Sequence, residues 1–383
     1  MKGLETKLAV VEKEALVDYG FYGGVRGGRG DDELERGMAE IADKVLGFKC
    51  YLLSGMETFP RVNHEELGRA LVAAEALDRP LLLHAEDADY VAAATKRVKD
   101  AKNAEGKSLG SWDDYVDSRP ESAELVACAV AASLALERSC PATLHVVHVG
   151  TSAAAEVLAK AGATCETCAH YLAFSREDFA QYGSALKTAP PVKGSDEKER
   201  LWALLAAGTI PFVTSDHAPA SRAEKRSGSI WTDYGGIPGT GILLPFMLSE
   251  GYLSGRLSLP RFLEAVSSAA ALRFGIADRK GSIAVGKDAD FVLIDTAGTT
   301  TIRGEELYSK GSDTPFEGMV LRGSIRATYL RGKKVYDGDS ADAKHPAKHE
   351  SRVFDGSAAE LSACAPGIVA KPGYGRFLTR GPK

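Results

Sequence analysis

The sequence predicts an α/β fold with a parallel sheet, followed by a smaller β domain. Through most of the chain, short apolar runs alternate with amphipathic stretches. These runs are nearly continuous, which is typical of strands covered on both faces. Towards the C-terminus the pattern changes to short, glycine-punctuated runs that favour hairpins. We therefore predict an α/β domain over residues 1–279, and a small β domain with a C-terminal extension over residues 280–383.

Six apolar runs account for the predicted strands of the first domain. They span residues 16–25, 45–53, 80–87, 142–150, 163–172 and 210–219. Helical patterns lie between them. Asn63 and Glu66 have capping-box spacing before one helix, and Ser118 and Glu121 have the same spacing before another. A repeated order of strand and helix predicts parallel strands.

Composition excludes several classes of function. The 383 residues carry a net charge of −5, and no basic patch indicates nucleic-acid binding. The apolar runs are too short to span a membrane, and the charged N-terminus does not resemble a signal peptide. Six scattered cysteines do not form a disulfide framework, and "CETC" at 165–168 lies in a predicted strand whose first and fourth residues face opposite ways. We expect a cytoplasmic protein that binds neither nucleic acid nor membrane.

Polar residues stand at or near the ends of four predicted strands. They are Lys49, His84, His148 and Asp216. A single strand-end histidine is more often a hydrogen-bonded core residue. Four such residues in successive units favour one shared site, because the carboxyl ends of the strands converge in a parallel barrel. Imidazole and carboxylate groups are the usual ligands of zinc and similar ions. His145 faces away from His148 on a strand, so His148 is the better candidate ligand.

Lys49 is unusual because it interrupts the apolar run "LGFKCYLL". Burial lowers the pKa of a lysine amine, and a neutral amine can add carbon dioxide to form a carbamate. The two carbamate oxygens could bridge two metal ions. Alternatively, the side chain extends to the rim of the barrel and keeps its charge in water. The lysine by itself favours this second interpretation.

Eight motifs in order resemble those of the amidohydrolase superfamily. They are "GFKCYL", "LLLHAED", "LHVVHVGTS", "CETCAHYL", "LKTAPPVK", "VTSDHAP", "GGIPGTGILLP" and "KGSIAVGKDADFVLID". The resemblance is strongest to the cyclic amidohydrolase branch, which contains dihydroorotase, allantoinase and hydantoinase. It implies a TIM-type (β/α)8 metal-dependent hydrolase barrel, apparently without its first two strands, and a small C-terminal β domain.

The resemblance also implies roles for individual residues. It implies one or two divalent metal ions such as Zn²⁺, bridged by a carboxylated Lys49. The second ion would be bound by His84 and His148. The first would be bound by Asp216, which also transfers the proton during hydrolysis. His217 and Gly239 are expected to hold the substrate.

The substrate implied by the resemblance is a small cyclic amide. "SDHAP" and "GIPGTGILLP" favour dihydroorotate, whereas "SGMETFP" and "CETCAHYL" favour allantoin, and hydantoin is a further alternative. Ala189 fits neither the asparagine of dihydroorotases nor the serine of the other two enzymes. We expect dihydroorotase-like activity and a homo-oligomer.

The sequence also departs from the family at the first metal site. The HxH pair that ends the first barrel strand in the family is absent, since no two of the eight histidines are two residues apart. The first metal site would then keep only Lys49 and Asp216. This departure supports an alternative of another class, in which the chain is an inactive fragment or a non-catalytic partner subunit.

Overall fold

The computed structural model describes residues 1–30, 32–107, 110–307, 309–339 and 367–380. In this part of the chain, six strands form a parallel sheet in sequence order, and three form an antiparallel sheet. The strands are β1 Tyr22–Gly24, β2 Gly47–Tyr51, β3 Leu81–His84, β4 Leu144–Val146, β5 Thr164–Cys168, β6 Phe212–Thr214, β7 Phe291–Thr301, β8 Val320–Leu330 and β9 Lys333–Asp337. The predicted TIM-barrel-type fold with a small C-terminal β sheet is confirmed.

Helices connect the parallel strands and cover their outer face. The α-helices are α1 Lys2–Glu14, α2 Glu33–Ile41, α3 His64–Ala76, α4 Ala88–Ala104, α5 Trp112–Ser118, α6 Glu121–Glu137, α7 Ser152–Ala161, α8 Ala169–Ala173, α9 Phe179–Tyr182, α10 Ser195–Ala207, α11 Arg222–Lys225, α12 Leu243–Phe246, α13 Leu259–Leu263 and α14 Ala269–Arg273. Two π-helical segments, Met247–Leu253 and Glu264–Ser268, extend α12 and α13. No helix within the described ranges is both long and apolar enough to cross a bilayer.

The inner side of the parallel sheet has its own small apolar cluster. Leu82 and Phe212 come from β3 and β6, Val147 directly follows β4, and Phe274 follows α14 to pack against them. A much larger apolar cluster lies between the sheet and its helices. Since strand side chains alternate between faces, β3 and β6 each contribute to both clusters. The inner cluster forms a floor beneath the carboxyl ends of the strands.

One predicted helix start is confirmed and the other is wrong. Asn63 caps α3, because its side chain accepts from the backbone of Glu66 at 2.9 Å and Glu66 reciprocates at 2.8 Å. Ser118 does not cap α6; it ends α5, and its hydroxyl donates to the carbonyl of Tyr115 at 2.6 Å. Pro120 occupies the N-cap position of α6 instead.

A cluster of ion pairs links the two sheets. The amine of Lys280 lies 2.5 Å from Asp18, 2.9 Å from Asp288 and 2.5 Å from Asp290. Arg331 makes a further pair with Asp18, just before β1. The three carboxylates are close enough to hold a cation, and the lysine ammonium lies among them.

Candidate active site

The predicted site residues lie at the carboxyl end of the parallel sheet. Lys49 is in β2, His84 ends β3, His148 follows β4 by two residues, and Asp216 follows β6 by two residues. Because these strands are parallel and adjacent in sequence order, their carboxyl ends face the same side.

The two histidines converge through their ring nitrogens. His84 Nδ1 and His148 Nε2 are 3.1 Å apart, and both side chains are buried. Two nitrogen ligands of one tetrahedral zinc ion, each at its usual bond length, would be separated by roughly 3.3 Å. Burial lowers the pKa of both imidazoles, so both are neutral at pH 7 and can offer a lone pair. The donor set therefore fits one divalent ion.

Lys49 is close enough to this histidine pair for its charge to lower the pKa of both imidazoles. Strand alternation buries Phe48 among the helices and turns Lys49 and Tyr51 to the inner face. The amine of Lys49 is 4.9 Å from the ring centre of Tyr51, which is 5.4 Å from the imidazole of His84. Burial lowers the pKa of Lys49 to about 8, although the charge of Asp216 opposes the shift. The amine is therefore much more reactive near neutral pH than an ordinary lysine.

Asp216 and His217 are more exposed than the histidine pair. His217 Nδ1 accepts from the backbone N–H groups of Gly239 at 3.1 Å and Thr240 at 3.2 Å. The neutral ring must then carry its proton on Nε2, which can donate to a ligand. Gly239 permits this contact, because a Cβ atom there would lie 2.4 Å from the backbone oxygen of Ser215.

Two of the site residues have a backbone conformation that is uncommon outside glycine. His148 has φ 42° and Asp216 has φ 41°, both in the left-handed region. Non-glycine residues held in this way cost about 1–3 kcal/mol each and are frequent at functional sites. The chain thus turns sharply where β4 and β6 end.

Glu86 and Arg119 support His84, and the sequence analysis gave neither of them a role. Glu86 Oε2 lies 3.0 Å from His84 Nε2, and Arg119 donates two hydrogen bonds to the same carboxylate at 2.9 and 2.7 Å. Burial disfavours the charge of Glu86, but Arg119 and His84 outweigh it and lower the pKa of the carboxyl well below its usual range. The sequence held one indication of this role, because Glu86 lies two residues after His84 in "LLLHAED".

Two other histidines remain outside the pair. His145 faces the inner floor, where it stacks on Phe212 at 5.3 Å and its Nε2 lies 3.1 Å from Glu166. His170 follows β5 and is buried, and its Nε2 has no hydrogen-bond partner among the residues that the structure describes. Burial lowers the pKa of His170 to about 4. The structure therefore pairs His148, and neither of these residues, with His84.

Comparisons with known proteins agree with this fold. The profile of the Amidohydrolase family matches residues 20–335. An allantoinase from Solibacter usitatus is 36% identical over 345 residues, which cover 88% of this chain and 72% of the relative. A dihydroorotase from Halobacterium salinarum is 34% identical over 342 residues, which cover 89% of this chain and 75% of the relative. The chain belongs to the amidohydrolase family.

Solved structures indicate which branch of the family the chain belongs to. An L-hydantoinase from Arthrobacter aurescens superimposes with a TM-score of 0.86 at 26% identity, covering 99% of this chain and 77% of that chain. A dihydropyrimidinase from Brevibacillus agri gives 0.84 at 25% identity, with coverage of 99% and 77%. The chain is a member of the cyclic amidohydrolase branch. Enzymes of the wider family are metal-dependent and typically bind zinc.

Proposed function

We propose that this chain hydrolyses the ring amide of a hydantoin-type substrate, with allantoin as the first candidate. The observation that carries the proposal is the 3.1 Å convergence of His84 Nδ1 and His148 Nε2 beside Lys49. Relatives at 36% and 37% identity, from Solibacter usitatus and Rubrobacter xylanophilus, are named allantoinases. Together these observations support metal-assisted cleavage of a cyclic C–N bond.

The metal in this proposal is one zinc ion per chain. His84 and His148 would supply two nitrogen ligands, and a carboxylated Lys49 would supply oxygen. When bound, the ion polarises the amide carbonyl and lowers the pKa of water. A second ion would have only Lys49 and Asp216, since the sequence has no HxH pair. For that reason we propose a stoichiometry of one.

Asp216 would move the proton during the reaction. Water adds to the ring carbonyl carbon and loses a proton to the Asp216 carboxylate. The C–N bond then breaks, and the same proton passes to the departing nitrogen. His217 would donate from Nε2 to the substrate, because its Nδ1 is already occupied by two backbone donors. Burial lowers the pKa of His217, which favours the neutral form that this role requires.

Allantoin is placed before dihydroorotate because of the charge of the substrate and the names of the relatives. Dihydroorotate carries a carboxylate, which calls for a cation that is not already paired. Arg119, the guanidinium next to the histidine pair, is held by two hydrogen bonds to Glu86. The sequence-based preference for dihydroorotate is not confirmed, because relatives from Solibacter usitatus, Rubrobacter xylanophilus and Deinococcus radiodurans, at 36–37% identity, are named allantoinases. Dihydroorotate remains the second candidate because of the Halobacterium salinarum relative.

The experiment combines metal content with hydrolysis. The protein is purified with zinc and bicarbonate, analysed for metal, and assayed with allantoin, hydantoin and dihydroorotate. We expect about one zinc per chain in the wild type, fastest turnover of allantoin, and loss of both metal and activity in His84→Asn. His64→Asn, at an exposed position at the start of α3, is the matched control and keeps both. Folded wild-type protein with neither zinc nor turnover would refute the proposal and favour the non-catalytic alternative.

A further inference from the structure

We propose that Glu86 and Arg119 are positioning residues that hold His84 in the Nε2–H tautomer and so direct its Nδ1 lone pair at the metal site. The proposal rests on the proposed function only for its effect on catalysis. Its structural part concerns one proton on one imidazole, which can be measured without turnover. Neither residue contacts the substrate in this assignment; both act through His84.

The tautomer follows from the partners of the ring. A carboxylate paired with a guanidinium is ionised and can only accept hydrogen bonds. Glu86 is 1% exposed and lies 3.0 Å from His84 Nε2, so that nitrogen must carry the proton. His84 Nδ1 is then unprotonated and faces His148 Nε2 at 3.1 Å. Metal-binding histidines commonly have their second nitrogen fixed in this way.

Arg119 keeps the carboxylate in one orientation. Its Nε and Nη2 atoms bind separate oxygens of Glu86, which prevents the carboxylate from rotating. Arg119 lies in the short turn between α5 and α6, and its backbone carbonyl accepts from the buried amine of Lys193 at 3.0 Å. Contacts on both its side chain and its backbone therefore fix Arg119.

Tyr115 connects this pair to another part of the site. The guanidinium of Arg119 lies 5.6 Å from the centre of the Tyr115 ring, and the Tyr115 hydroxyl donates to the carbonyl of Thr188 at 2.9 Å. Thr188 precedes Ala189, the position at which the resemblance implies an asparagine in dihydroorotases and a serine in the other two enzymes. A shift of Arg119 would thus change the contacts of both His84 and the 188–189 segment.

The test uses Glu86→Gln, which keeps the size of the side chain but removes its charge. In wild-type protein freed of metal, ¹⁵N–¹H NMR of labelled histidines should show His84 as a single Nε2–H tautomer. In the variant we expect a mixture of tautomers, and zinc affinity, measured by competition with a chelator, roughly 10- to 100-fold weaker. The double variant Glu86→Gln/Arg119→Met removes the unpaired guanidinium. It should regain thermal stability without regaining zinc affinity.

The control is Glu197→Gln. Glu197 is also buried, accepts from Ser152 at 2.7 and 3.0 Å, and pairs with Arg200, but does not touch His84. It should lower stability and leave the His84 signal unchanged. An unchanged tautomer and wild-type zinc affinity in Glu86→Gln would overturn the proposal, as would recovery of affinity in the double variant. If wild-type protein binds zinc but cleaves no cyclic amide, only the proposed function fails.

Discussion

Lys49 should react as a neutral amine near physiological pH. Burial in β2 disfavours its ammonium form and lowers its pKa to about 8, from an ordinary value of 10.5. At pH 7 this corresponds to about one neutral amine in ten, against about three in ten thousand for an ordinary lysine. The structure therefore increases the reactive fraction by roughly 300-fold. Carboxylation needs this neutral form, so the gain applies directly to carbamate formation.

Competitive labelling with trace acetic anhydride, read by peptide mass spectrometry, measures this pKa. Between about pH 6 and about pH 11, the reactivity of Lys49 should reach half its maximum near pH 8 and stay constant above about pH 9. Exposed Lys96 provides an internal reference in the same sample. A half-maximum at pH 10 or above would refute the inference that burial activates the amine.

The product of that reactivity can be observed separately. With ¹³C-labelled bicarbonate, NMR should show a protein carbamate carbon that disappears in Lys49→Ala. Because a carbamate reverts to amine and carbon dioxide once the amine is protonated, its signal should decay when the pH falls well below 8. A carbamate signal of equal size in Lys49→Ala would show that another amine reacts.

Two further variants test the close packing at Gly239 and the ion pairs of Asp18. Gly239→Ala should cost about 1–3 kcal/mol of unfolding free energy in urea, because its Cβ would meet the backbone oxygen of Ser215 at 2.4 Å. Exposed Gly37→Ala in α2 has open space and should gain about 0.5–1 kcal/mol; equal effects would contradict this reasoning. Asp18→Asn should cost about 1.5–3 kcal/mol at pH 7, because Lys280 and Arg331 both lose its carboxylate, although Asp288 and Asp290 still pair with Lys280. Burial opposes the charge of Asp18, but its ion pairs lower the pKa, so its contribution is present above about pH 4 and is lost as pH falls through the folded-state pKa. Urea unfolding at about pH 7 and about pH 3 measures this, and an undiminished difference at the lower pH would contradict it.

Local sequence patterns predicted the features that depend on near neighbours. Continuous apolar runs correctly indicated buried parallel strands, because both faces of each strand are covered. Asn63 and Glu66 are three residues apart, and their reciprocal hydrogen bonds need no distant partner. Strand alternation was the wrong reason to separate His145 from His148, because β4 ends at Val146 and His148 lies beyond it; the two contact Phe212 and His84 respectively.

Contacts between distant residues could not be predicted in this way. Glu86 and Arg119 are 33 residues apart in sequence, and only the folded chain shows that they pair. Ser118 was misassigned because α5, which starts with its own capping box at Ser111 and Asp114, extends to that position. A spacing rule cannot decide whether a serine starts one helix or ends another when two helices are so close.

The left-handed backbone at His148 and Asp216 lowers stability at two positions that the proposed function requires. Glycine adopts φ near 42° without strain, whereas histidine and aspartate do not. His148→Gly should therefore relax the turn after β4 while it removes a proposed metal ligand. Directed evolution towards heat resistance alone would tend to replace the site residues at positions 148 and 216. A thermostable version of this protein should be selected with both positions held constant.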